Sequence, residues 1–102
     1  MSTDASDVIY QYPETEIAVV AAESRLEPGR VAPLVRLAGH IRRLSGMDLE
    51  EGVSTRLLIY AATLIAGGMG VIPALEAAII EPLSDEPDVQ QALRDLVETI
   101  YG

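Results

Sequence analysis

The sequence predicts an all-α fold, a small bundle of four to five helices behind a short extended N-terminal lead-in. Three observations carry that reading. Apolar residues recur at three- and four-residue steps in separate stretches, the period of a helix with one buried face. Proline and glycine divide the chain at helix-length intervals. The 49% of hydrophobic residues is rich in alanine and contains no Phe or Trp, which suits closely packed helices better than a wide core. A chain of 102 residues has room for one domain that buries a modest core without disulfides or a metal.

Residues 8–12 read as a short extended piece before Pro13. Pro13 suits the first turn of a helix, and Glu14 and Glu16 follow where the helix dipole favours acids, so a helix is predicted over about 13–23, with Ile17, Val20 and Ala21 as its apolar face. The EPG at 27–29 reads as a turn. Val31, Leu34, Val35, Ala38, Ile41 and Leu44 then mark an amphipathic helix ended by Gly46, with Arg36, His40, Arg42 and Arg43 toward its wetter side. After the polar MDLEEG connection comes a third helix, apolar nearly all round and therefore expected at the centre, with Ser54 as its N-cap. Gly67 and Gly68 offer the left-handed turn that ends it. Pro73 is expected to start a short fourth helix that stops before Pro82. SDEPD at 84–88 supplies caps and first-turn acids for a fifth, whose stripe is Val89, Leu93, Leu96, Val97 and Ile100.

Composition narrows the function. The seven basic residues are all arginine, against sixteen acidic ones, and the net charge of -9 disfavours a nucleic-acid partner. With no cysteine there is neither a disulfide framework nor a thiolate chemistry. The first dozen residues lack the basic and apolar regions of a secretory signal, so a cytoplasmic protein is expected. Residues 57–75 carry no charge, but GGMG and Pro73 interrupt them, so two buried helices are expected in place of a membrane span.

Most chemical motifs have a structural explanation. His40 is the only histidine and stands mid-helix among arginines, which points to a surface residue and away from a catalytic base. Asp85, Glu86 and Asp88 lack the glycine and final glutamate of a calcium loop and read as helix caps, so no metal is expected. GGMG follows no strand and precedes no lysine, so it reads as a turn and not a phosphate loop. Glu50 and Glu51 are sequence neighbours and do not converge as an acid pair. Arg42 and Arg43 read as an exposed helical face balancing nearby acids.

Arg56 is different. It stands in the first turn of the third helix, where the positive end of the dipole repels a cation. Two explanations stay open: a salt bridge to Glu50 or Glu51, or a guanidinium held out to grip a phosphate on another surface.

Three ordered blocks resemble a known family. YPETEI at 12–17, LEEGVSTRLLIYAATLI at 49–65 and EPLSDEPDVQQAL at 81–93 closely resemble the C-terminal region of the CbbQ/NorQ/GvpN family, AAA+ ATPases of the MoxR group. The resemblance runs from about residue 9 to the end. It implies a helical lid, residues 12–102, packed on an ATP-binding core, with residues 1–11 as the remnant of that core and Tyr12 and Pro13 at the hinge. GVSTR is similar to the sensor-2 element, so Arg56 would bind the nucleotide, with Ser54 and Thr55 capping the helix and fixing its approach. The resemblance further implies ATP with Mg in the full-length protein and none on this chain alone. It also implies a hexameric ring, a partner with a von Willebrand A domain, and a metalloenzyme client such as Rubisco or nitric oxide reductase.

The Walker A pattern GxxxxGK[ST] and an acidic Walker B strand do not occur in these residues, so the chain is not expected to hydrolyse ATP alone and is expected to be a domain cut from a longer protein. A lid parted from its core exposes apolar surface, which predicts some self-association. The rival expectation is a free-standing helical interaction module, complete at 102 residues, in which Arg56 has no nucleotide role.

Overall fold

The computed structural model describes residues 13–43 and 53–101. Regular structure there is entirely helical, in agreement with the predicted class. Helix α1 is Pro13–Ser24, α2 is Pro28–Arg43, α3 is Thr55–Ala66 and α5 is Pro87–Tyr101. Helix α4 runs continuously through Val71–Leu75, a π-helical Glu76–Ile80 and Glu81–Leu83. The expected extended piece at 8–12, and Leu44 and Gly46, lie outside the described residues. No helix among those described is long and apolar enough to cross a membrane.

Helix α1 starts on Pro13, whose missing N–H is not needed in a first turn. It ends where Arg25 turns left-handed, at φ 65°, and donates its N–H to the Ala21 carbonyl at 2.9 Å. Ser24 ties the turn together: its Oγ donates to the Val20 carbonyl at 2.6 Å and accepts the N–H of the buried Leu26 at 3.2 Å. The EPG at 27–29 is not a free turn. Pro28 opens α2, and the Glu27 carbonyl accepts from Arg30 at 2.8 Å and Val31 at 3.0 Å, so the bend lies earlier, around Arg25. The predicted stripe of α2 is buried from Val31 to Ile41, and Leu37 is buried with it.

Helix α3 is capped as expected by Ser54, whose Oγ accepts the Leu57 N–H at 3.2 Å. It packs on α1, α2 and α4 and is central, as predicted. It is not enclosed all round, because Arg56, Tyr60, Thr63 and Ala66 form one exposed stripe. Its end is closed by Gly68 at φ +107°, with Gly68 N–H donating to Ile65 and Met69 N–H to Leu64, both at 3.0 Å. Gly67 remains right-handed, so only one of the two glycines supplies the turn.

Helix α4 differs most from expectation. It begins at Val71, two residues before Pro73, and runs through Pro82. In regular α geometry the ring of Pro82 would meet the carbonyl of Ala78, four residues back. The π turn immediately before it, in which Glu81 N–H reaches back to the Glu76 carbonyl, is the wider winding that lets the helix pass the proline. Ser84 then breaks the helix in extended conformation and ties the link to the next: its Oγ accepts the Glu86 N–H at 3.1 Å and its carbonyl accepts Gln90 Nε2 at 2.8 Å. Helix α5 buries Leu93 and Val97 and lies on α2 and the π segment. Alanine does the work predicted for it, since Ala61 and Ala62 on α3 and Ala74 and Ala78 on α4 have no exposed surface.

Candidate functional site

Arg56 is the second residue of α3, exposed at the end where the helix presents its N–H groups. Among the described residues, no hydrogen bond or ion pair engages its guanidinium. Glu50 and Glu51, the candidate salt-bridge partners, lie outside the described residues. The result is a cation beside the positive end of a helix dipole, two features of one sign that favour an anion. A guanidinium offers five donors in a planar fork, the geometry that phosphate oxygens accept.

The base of α3 is held by a polar cluster that the composition gave little reason to expect. Glu16 of α1 is only 1% exposed. Its Oε1 accepts from Arg42 Nη1 at 2.8 Å, and its Oε2 from Arg42 Nη2 at 2.7 Å. Thr55 Oγ1 donates to the same Oε2 at 2.9 Å. Arg42 Nε in turn donates to the Val53 carbonyl at 2.8 Å. Arg42 is therefore not part of an exposed arginine face: its fork is turned inward, bidentate on a buried carboxylate. Nor does Thr55 share the cap with Ser54; its hydroxyl is committed to Glu16.

Pro13 is the first residue of α1, and Tyr12 lies outside the described residues. His40 lies on α2, with Nδ1 at 3.4 Å from Arg43 Nη2, while Arg43 Nε donates to the Gly39 carbonyl at 3.3 Å. Asp85 and Glu86 lie in the exposed link between α4 and α5, and Asp88 in the first turn of α5. Reasoning from the sequence missed Glu16 and Arg42 as a pair. A signal was present in the spacing, since Glu16 stands four residues before Val20 of the expected apolar face, and the structure buries both.

A second feature lies away from this cluster. An apolar groove of about 610 Å³ runs between α4 and α5, with Val71, Ile72, Leu75 and Val97 among its walls. Arg94 and Glu76 pair on its rim, and that hydrogen bond holds the Arg94 pKa above its usual value. Burial pushes the Tyr101 hydroxyl up to about 12, against the opposing pull of Arg30 and Arg36. Ile72, in the wall of the groove, is 51% exposed and leaves apolar surface uncovered there.

Comparison with known proteins matches this chain to one family. A family model described as CbbQ/NirQ/NorQ C-terminal matches residues 16–100. The chain is 52% identical over 98 residues to Protein NorQ of Paracoccus denitrificans, a match covering 96% of this chain and 36% of the relative. It is 42% identical over 98 residues to Protein CbbQ of Hydrogenophilus thermoluteolus, covering 96% of this chain and 37% of that one. Against the denitrification regulatory protein NirQ of Stutzerimonas stutzeri the identity is 42% over 95 residues, 91% of this chain and 34% of the relative. The chain thus spans little more than a third of the length of the curated relatives it matches.

Proposed function

The chain belongs to the CbbQ/NirQ/NorQ C-terminal family, and from that premise we propose that it is the helical lid of a MoxR-type AAA+ ATPase, with Arg56 as the sensor-2 cation that meets the phosphates of ATP. The observation that carries this reading is the state of Arg56: exposed, unengaged among the described residues, and mounted on the capped N-terminus of a central helix. An arginine kept for structure alone has every reason to sit elsewhere, because the dipole repels it there.

ATP is the substrate of the complete protein, and Mg²⁺ travels with it to the core. The part left to this chain is positional. Arg56 places charge against the phosphates when the lid closes, and the packed helices carry that closure as one body after hydrolysis. In the complete assembly the lid works within a hexameric ring, beside a partner with a von Willebrand A domain, toward activation of a metalloenzyme. The client is Rubisco or nitric oxide reductase, and the word denitrification in the name of the relative NirQ supports the second. The test is Arg56→Ala in the complete ATPase. Loss of one charge-assisted contact to a phosphate lowers kcat/KM for ATP by roughly ten- to a hundredfold while the melting temperature holds. Unchanged turnover removes the sensor role.

The groove between α4 and α5 favours a second reading, an interaction module that seats an apolar partner segment. Under it Arg56→Ala is silent, and substitutions at Ile72 or Val97 abolish a complex.

A further inference from the structure

We infer that Glu16, Arg42 and Thr55 form a positioning bracket that fixes where Arg56 is held relative to the start of α1. The inference rests on the reading of Arg56 as the nucleotide-sensing cation; it adds Glu16 and Arg42, which that reading does not use, and places Thr55 on Glu16 in place of the helix cap.

The bracket grips the chain on both sides of the α3 cap. Arg42 Nε holds the Val53 carbonyl at 2.8 Å, and Glu16 holds the Thr55 hydroxyl at 2.9 Å. Thr55 is the residue immediately before Arg56. Three donors converge on one carboxylate that is 1% exposed, so the link is screened from water and its geometry is narrow. Stability is a weak reason for such an arrangement. Taking a carboxylate out of water carries a desolvation cost that its partner only offsets, and a well-packed apolar pair of the same volume does as well or better. What an apolar pair lacks is direction. A bidentate fork sets distance and angle together, whereas packed methyl groups allow the helix start to shift and rotate.

The placement of the parts agrees. Glu16 lies one turn into α1, just past Pro13, so the carboxylate sits beside the start of that helix. Arg42 lies at the far end of α2 and reaches back to it. The bracket therefore joins the start of α1 to the base of α3 through a path of two side chains. Motion of α1 is passed to Arg56 with little slack.

Thr55→Val tests this without leaving a buried charge unpaired, since it keeps the branched shape, removes only the hydroxyl, and leaves the Glu16–Arg42 pair in place. In the complete ATPase, Thr55→Val is expected to lower kcat/KM for ATP about tenfold, by displacing a positioned group. In the Arg56→Ala background the same substitution is expected to add no more than about twofold, because the group it positions is gone. Thr55→Ser, which restores the hydroxyl, returns turnover to near the parent value. An equal loss in both backgrounds overturns the bracket and makes Thr55 a support of the fold only. No loss from Thr55→Val, when Arg56→Ala does impair turnover, overturns it while leaving Arg56 as the sensor. No loss from Arg56→Ala removes the sensor reading and the bracket with it.

Discussion

Glu16 shows how one carboxylate can carry a different meaning from the one its neighbours suggest. In the first turn of α1 it has the dipole reason shared with Glu14, and nothing in residue type separates the two. Register separates them. Glu16 falls in line with Val20 and faces inward, where an unpaired charge is too costly to keep, so a cation must come to it. Arg42 was unreadable from sequence for the complementary reason: one of two adjacent arginines turns in and the other stays out, a choice made by α1 and not by α2. Tyr101 gives a prediction at this scale. Burial raises its folded pKa to about 12, above the ordinary value of 10.0, so below pH 10 the phenol is neutral in both states and its contribution is fully present. As pH rises from about 10 to about 12 the unfolded chain ionises first, and stability falls. Denaturant midpoints over that range should decline in the parent more steeply than in Tyr101→Phe.

At the scale of the element, periodicity was the reliable guide and proline the unreliable one. The three- and four-residue steps from Val31 to Ile41 place α2 well, and Leu37 is buried with them on a helix that packs against α1, α3 and α5. Pro28 and Pro82 look alike as chain breakers, yet one begins a helix and the other lies inside one, because a π turn absorbs it. No local pattern announces a π turn. The glycines separate in the same way. A methyl group at Gly68 meets nothing within 4 Å, but its φ of +107° is strained for any L residue. Gly68→Ala is therefore expected to cost about 1–2 kcal/mol. Gly39 is helical, and its added Cβ meets only Arg43 Nη2 at 3.9 Å. Gly39→Ala is expected to gain about 0.5–1 kcal/mol. Urea melts of the two variants should move in opposite directions.

At the scale of the molecule, the described helices extend over 37 × 36 × 19 Å. Their packing is about half as deep as it is wide, a flattened arrangement that leaves helices open toward a face. The exposed stripe of α3 fits that flatness, although the helix is central, as its composition suggested. Tyr60 at 50% and Ile72 at 51% exposure are left outside for the same reason. The chain alone is therefore expected to self-associate at high concentration, seen as a rising apparent mass in light scattering; a strict monomer throughout removes the expectation. A slab with open faces also has no single stability of its own. Whatever covers a face and binds only the folded form adds RT ln(1 + [L]/Kd), about 2.7 kcal/mol at a hundredfold excess over Kd. The melting temperature of this chain is thus a floor set by dilution, and inside an assembly the same helices hold to a higher one.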